Sequence, residues 1–265
     1  MASKIKKIGC FFFLFTFSLL AGSVFFIFEK FCLFSLQGYV VEAPSADVEK
    51  RFWDLLPPEC IRYWPVFVFK SSQIRASMEK IIPVQISTEA KGIGLFHTRI
   101  AYLEPWLMVE WRGSAWCLSD KGRMWSPELY SLGIPKAPLW KISESLNKHF
   151  DIGEPAAQSG VFKAMFSIDE LKRFDDIFRA QSWYTNTEYI SFDRRAGEYF
   201  FKLSIDLNGK KIILIINGEE SKLREIDMLF KQIMTQINLD SKEIFIDMSY
   251  TDKIVVASAQ EGSLK

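Results

Sequence analysis

The stretch YFFKLSIDLNGKKIILII, residues 199–216, carries the clearest structural signal in the chain. Two apolar runs flank Asn208-Gly209, the dipeptide most typical of a two-residue β-hairpin turn. Residues 199–206 and 211–216 are therefore predicted to be paired antiparallel strands. A further strand is predicted just before them, over residues 189–192.

An amphipathic helix and a strand are predicted after this hairpin. Apolar residues recur at i, i+3 or i+4 from Leu223 to Ile237, which predicts a helix with one apolar face. Residues 243–257 are then predicted to form one long terminal strand, in which Phe245, Asp247, Ser249 and Thr251 alternate with Ile244, Ile246, Met248 and Tyr250. Residues 258–265 are polar and are predicted to be a flexible end.

The first half of the chain predicts a smaller α+β unit. A strand over 31–41 is followed by a helix that starts at Ser45, and by a second helix that starts at Ser71-Ser72 and ends before Pro83. Strands are predicted over 84–87 and 96–103, with Gly92-Ile93-Gly94 in the turn between them. The resulting order is β-α-α-β-β.

The middle of the chain predicts short strands and two helices. The strands cover 106–111 and 116–119, residues 126–140 are an extended connection, and the helices cover 143–150 and 167–181. Ser167 and Glu170 form a capping-box pattern at the start of the second helix.

The N-terminal run IGCFFFLFTFSLLAGSVFFIF, residues 8–28, has no charge and follows a basic stub, residues 1–7. At about 1.5 Å per residue a helix of this length reaches roughly 30 Å, which matches the hydrocarbon core of a bilayer. The run predicts one transmembrane helix, and the lysines before it predict that residues 30–265 lie outside the cytoplasm. A cleaved signal peptide, ending near Ala21-Gly22-Ser23, is the alternative.

Composition excludes some classes of function and leaves others open. The net charge is +1 with acids and bases mixed, which argues against a nucleic-acid-binding surface. Of the four cysteines, Cys60 and Cys117 could form an exported disulfide or remain buried free thiols. The cluster of Trp106, Trp111, Trp116 and Trp125 could be a carbohydrate platform or part of the core.

No motif in the sequence predicts catalysis, a metal site or a cofactor. The two histidines, His97 and His149, lack neighbours at metal-ligand spacing, and no G-x-S-x-G elbow or P-loop is present. The acid pairs Asp175-Asp176 and Glu219-Glu220 are predicted on the surface. Carboxylates that converge from distant strands stay possible.

Three stretches resemble the bacterial cell-division proteins FtsQ and DivIB. Residues 71–84 are similar to the second helix and following strand of their POTRA domain, residues 103–105 and 116–125 to the passage that joins the two domains, and residues 246–256 to their closing strand. The resemblance implies an α+β fold with a transmembrane helix over 8–28, a POTRA-like domain over 31–104, and a β domain over 105–257 with a late amphipathic helix and a terminal strand.

The same resemblance implies a function. Such proteins are non-enzymatic bitopic scaffolds of the division machinery at the septum, in the cytoplasmic membrane, and their partners are FtsB/DivIC-like and FtsL-like bitopic proteins. No cofactor is expected. The residues implied to bind the partner are Phe245, Asp247, Ser249, Tyr250, Lys253, Ile254, Val255 and Val256. A membrane-anchored enzyme acting on peptidoglycan and a POTRA-bearing secretion or assembly protein are the alternatives.

Overall fold

The chain forms two compact units in a computed structural model, which describes residues 16–24, 26, 34–129, 133, 137–146, 160–236, 242–250 and 253–259. The described residues up to Tyr102 belong to the first unit and those from Leu103 to the second. The sequence predicts a domain boundary at nearly the same place, between residues 104 and 105. Each unit is described separately.

The predicted transmembrane helix requires correction. A first helix, α1, is described over residues 16–24 and at residue 26. Nine residues of α-helix are about 14 Å long, roughly half of the hydrocarbon thickness. In the described part of the chain no helix combines the length and the apolar character needed to cross a membrane. Residues 8–15, 25, 27 and 28 of the predicted span lie outside the described residues, as do the stub 1–7 and residues 260–265.

The first unit packs helices on one face of a small sheet. Its further elements are β1 (Gly38–Glu42), α2 (Ala46–Asp54), α3 (Pro58–Arg62), α4 (Trp64–Ile81), β2 (Val84–Gly92) and β3 (Leu95–Tyr102). The strand order is β1-β3-β2, with β1 parallel and β2 antiparallel to β3. The order of elements is the predicted β-α-α-β-β with the short helix α3 added.

Residues next to their N-termini explain where two helices of this unit begin. The Ser45 hydroxyl accepts a hydrogen bond from Val48 N at 3.4 Å, which caps α2 as predicted. The start of α4 differs from the prediction, because the helix begins at Trp64 and Ser71-Ser72 lies within it. Pro65 in the first turn needs no hydrogen-bond donor there, so it favours a helix start at this position.

The second unit is built on one ten-stranded sheet covered by two helices. Its strands are β4 (Leu107–Trp111), β5 (Ser114–Leu118), β6 (Arg123–Trp125), β7 (Leu139–Ile142), β8 (Val161–Lys163), β9 (Thr187–Arg195), β10 (Glu198–Leu207), β11 (Lys210–Asn217), β12 (Glu243–Met248) and β13 (Val255–Ala259). The helices are α5 (Ile168–Arg179) and α6 (Glu220–Gln236), with 3₁₀ turns at Glu144–Leu146 and Tyr184–Asn186. The strand order is β13-β12-β11-β10-β9-β7-β4-β5-β6-β8.

Alternate residues of the central strands form the core beneath α5 and α6. Leu203, Leu214 and Ile246 lie side by side on β10, β11 and β12 and are fully buried. They pack in one cluster with Phe174 of α5 and Ile226 of α6. β12 alternates between buried and accessible residues, as expected for a strand with one face under helices, whereas the middles of β10 and β11 are buried at consecutive residues.

The β10–β11 hairpin is the predicted one. Leu207 pairs with Lys210 across a two-residue turn, and Asn208 and Gly209 have φ angles of 56° and 78°. Two positive φ angles are what a type I′ turn requires, and Asn and Gly adopt them at low cost. The turn therefore fixes the register of β10 and β11, which pair along eight residues.

Candidate partner-binding site at the sheet edge

The predicted terminal strand over 243–257 is in fact two strands. β12 ends at Met248, and β13 begins at Val255 and returns antiparallel to it. The Asp247 carboxylate accepts hydrogen bonds from Ser249 N at 2.9 Å and from the Ser249 hydroxyl at 2.6 Å. This local side-chain turn leads the chain out of the strand. The prediction of one long strand is therefore wrong.

The predicted site residues consequently lie on three elements. Phe245 and Asp247 are on β12, Ser249, Tyr250, Lys253 and Ile254 are in the connection, and Val255 and Val256 are on β13. Since β12 is hydrogen-bonded to β11 on one side and to β13 on the other, Phe245 and Asp247 are not at an edge.

β13 is the strand that lies at the edge. It is the first strand in the sheet order, and among the described residues no strand pairs with its outer side. Val255 lies opposite Asp247, and Val256 lies opposite Ile246. Val256 therefore shares the face of the sheet that carries the core residue Ile246, whereas Val255 is on the opposite face.

Exposed apolar side chains mark this edge. Tyr250, Ile254, Val255 and Val256 are each between 40% and 48% exposed. The Lys253 ammonium lies 4.7 Å from the centre of the Tyr250 ring, a cation–π contact that holds the two side chains together. Four neighbouring apolar residues left in solvent are typical of a binding surface.

A groove runs between α6 and the connection that precedes β13. Its volume is about 490 Å³. The buried residues Ile226 and Met248 line it together with Leu229 and Ile254, while Lys222 and Glu225 add charged groups. It is an apolar cleft with a few charged groups around it, which suits a side chain or short segment of another molecule.

The α6 residues of the groove were missed at the sequence level. Lys222, Glu225 and Leu229 recur at i, i+3 and i+7, so they lie on one side of the helix. The amphipathic pattern predicted the helix but did not indicate that this side would face the C-terminal connection. The Lys222 ammonium is 3.1 Å from the Glu219 carboxylate, which lowers the pKa of Glu219.

Residues considered for chemistry lie apart from this edge. His97 Nε2 is 3.0 Å from the Glu42 carboxylate on the small sheet of the first unit, and His149 is outside the described residues. Over the described ranges, no three His, Cys, Asp or Glu side chains are grouped as a metal site would need.

The cysteines and tryptophans are mostly core residues. Cys60 and Cys117 are free and buried, and burial raises the pKa of the Cys117 thiol to about 11. Trp111 and Trp125 are buried, while Trp106 and Trp116 are half-buried against the main core. Core packing therefore accounts for this cluster better than a flat carbohydrate platform does.

One member of the pair Asp175-Asp176 departs from its predicted surface position, while Asp176 is exposed as predicted. Asp175 is fully buried, where it accepts hydrogen bonds from the Tyr184 hydroxyl at 2.7 Å and from Arg179 Nε at 2.6 Å. Burial raises the pKa of the Asp175 carboxyl, and these two donors oppose that rise. The cluster ties α5 to the turn after it.

The sequence was compared with protein families and with curated proteins. No protein-family model matches the chain, and no curated protein matches its sequence. The edge, the groove and the resemblance of the three stretches are therefore the observations that bear on function.

Proposed function

We propose that this protein is a non-enzymatic scaffold of the bacterial division machinery, which binds FtsB/DivIC-like and FtsL-like proteins through the edge strand β13. The observation that carries the proposal is this edge, with exposed Val255 and Val256 beside an apolar groove of about 490 Å³. A scaffold needs such a surface and needs no catalytic group.

The edge supplies two kinds of recognition. Backbone N–H and C=O groups on the outer side of β13 can accept a strand from another chain and extend the ten-stranded sheet. These bonds give affinity with little dependence on sequence. The groove beside Ile254 and Leu229 can take side chains of the same partner, which gives specificity.

The order of elements supports the same proposal. A small α+β unit followed by a β-rich unit with a late helix is the part of the layout implied by the resemblance to FtsQ and DivIB that supports the proposal; the added helix α3 and the C-terminal hairpin depart from that layout. The proposed location is the cytoplasmic membrane at the division septum.

Localisation and co-purification test the proposal together. A fluorescent fusion of the full chain is expected to concentrate at the septum of dividing cells, and the tagged chain is expected to co-purify with FtsB-like and FtsL-like proteins. An even distribution around the cell without either partner in the purified fraction would contradict the proposal.

A further inference from the structure

The start of α4 carries the most exposed large apolar side chain of the helices in the first unit. Phe69 is 83% exposed and its neighbour Val68 is 46% exposed, although Phe67 beside them is buried in the core. Arg75 follows Val68 by seven residues and therefore lies two turns along the same face. Adjacent exposed Val and Phe on a packed helix indicate a surface that is covered by something else.

The charges within the stretch 60–78 are positive, and Glu59 and Glu79 lie just beyond its two ends. From residue 60 to residue 78 the sequence contains Arg62, Lys70 and Arg75 and no Asp or Glu. Arg62 and Arg75 are exposed, and the half-buried Tyr63 and Trp64 lie at the beginning of the helix. Apolar, aromatic and basic residues grouped together are the composition of segments that lie at the surface of an anionic membrane.

The segment that precedes β1 is hydrogen-bonded to the start of α4 and follows a strongly apolar run. Trp64 N donates a hydrogen bond to the Phe34 carbonyl at 3.0 Å, and Leu36 N donates to the Arg62 carbonyl at 3.3 Å. The apolar run 8–28 ends six residues before Phe34, and each of its described residues has an exposed side chain.

The described chain that follows the apolar run meets the first unit close to this surface. Phe69 is about 7.5 Å along the helix from Trp64, whose N–H group is bonded to the Phe34 carbonyl. Phe69 and Val68 therefore lie near the point where the chain enters the unit.

We propose that the first unit lies against an anionic lipid surface through the start of α4. Phe69 and Val68 enter the boundary between headgroups and acyl chains, and Arg62 and Arg75 contact lipid phosphates. This contact needs no membrane-crossing helix, and it is independent of the partner edge in the second unit.

Hydroxyl-radical footprinting of the full chain tests the proposal. Oxidation of Phe69 is measured by mass spectrometry without lipid, with phosphatidylcholine vesicles and with vesicles rich in phosphatidylglycerol. Met228, which is 63% exposed on α6, is the internal control. Phe69 is expected to oxidise several-fold more slowly on the anionic vesicles than on the neutral ones, while Met228 is unchanged.

A matched pair of variants separates charge from folding. Arg62→Gln/Arg75→Gln removes two cations, which corresponds to a loss of roughly 30-fold in affinity for an anionic surface. This variant should abolish the difference between the two vesicle types. Lys202→Gln/Lys211→Gln removes two cations at exposed positions of β10 and β11 and should preserve it.

Two results would overturn the proposal. One is equal oxidation of Phe69 on both vesicle types. The other is protection of Phe69 without lipid that grows with protein concentration, which would show that a second copy of the chain covers this surface. Neither result would affect partner binding at β13, so the proposed scaffold function is tested separately.

Discussion

Val255 lies directly opposite Asp247 across the antiparallel pair of β12 and β13, and it is 40% exposed. Asp247 in turn holds the Ser249 backbone, so this pair lies at the closed end of the C-terminal hairpin. β12 pairs with one side of β13, so the backbone groups on the other side of β13 face outward. That outer side is where the partner is proposed to bind.

Proline scanning of β13 tests its free backbone donors. Along an edge strand, successive N–H groups point alternately to the neighbouring strand and outward, so one of Val255 and Val256 donates outward. Val255→Pro and Val256→Pro are expected to differ: the variant that loses the outward N–H stays folded and loses binding of the FtsB-like partner. Pull-down and circular dichroism measure the two effects.

Threonine variants are the controls for this prediction. Val255→Thr and Val256→Thr keep the N–H group and the β-branched shape, so both should bind nearly as well as the unchanged chain. Full binding by two folded proline variants would show that the partner does not add a strand to β13.

Charge reversal at Lys253 tests the groove. Lys253→Glu reverses a charge beside the apolar cleft and removes the cation over the Tyr250 ring. Partner binding is expected to weaken roughly 2- to 10-fold, and the effect should shrink at high salt because surface charges are screened. The matched control is Lys202→Glu, an exposed position of β10 outside the groove. Equal loss in both variants would point to net charge instead of the site.

The buried Asp175 cluster predicts a stability effect. Tyr184→Phe removes the hydroxyl that donates to Asp175 at 2.7 Å, which leaves a buried carboxylate oxygen without that donor. The free energy of unfolding is expected to fall by about 1–3 kcal/mol, measured by urea denaturation at neutral pH. Tyr250→Phe, at an exposed position, should change it by less than about 0.5 kcal/mol. A Tyr184→Phe protein as stable as the unchanged chain would contradict this role.

The lowered pKa of Asp193 leads us to expect that the free energy of unfolding falls in acid. Burial tends to raise its pKa, but hydrogen bonds from Ser145 and Arg195 outweigh burial and lower it from 3.8 to about 2. Since the folded state binds this proton less readily than the unfolded state, the contribution is present above pH 4 and is lost as the pH falls toward 2.

Asp193→Asn is the variant that measures this contribution. It should lower the free energy of unfolding by about 1–2 kcal/mol at pH 6 and should flatten its decline between pH 4 and pH 2. An unchanged acid profile in a folded variant would show that the Ser145–Asp193 contact carries no such linkage.

The histidines test the absence of catalysis. His97→Ala together with His149→Ala is expected to preserve division in a complementation assay, because His97 contacts only the exposed Glu42 among the ion pairs of the described chain. A pair between the half-buried His97 and the exposed Glu42 contributes about 1 kcal/mol or less. Loss of division by a variant that is folded and correctly localised would favour the enzyme hypothesis instead.

Local signals predicted much of the fold. The sequence predicted the Asn208-Gly209 turn and the serine caps of α2 and α5, because each depends on a few neighbouring residues. The sequence did not predict the start of α4, since a short apolar run such as 64–69 has no helical periodicity that would distinguish it from a buried strand. Hydropathy over residues 8–28 likewise indicated an apolar segment without fixing the length of a helix.

Long-range pairing explains most of what the sequence left open. β12 lies parallel to β11 with α6 between them in the chain, and no local pattern reports such a crossover. The short strands β7 and β8 were also missed, because three or four residues give too little alternation to recognise. The groove required α6 and the C-terminal connection to meet, so its α6 residues could not be identified in advance.

Hydrogen exchange of the full chain, with and without the purified FtsB-like partner, tests the central claim most directly. The partner is expected to slow exchange of alternate amides within Val255–Ala259, where a new strand would accept their N–H groups. Binding of the partner with unchanged exchange throughout Val255–Ala259, and new protection elsewhere, would contradict the assignment of β13 as the binding edge.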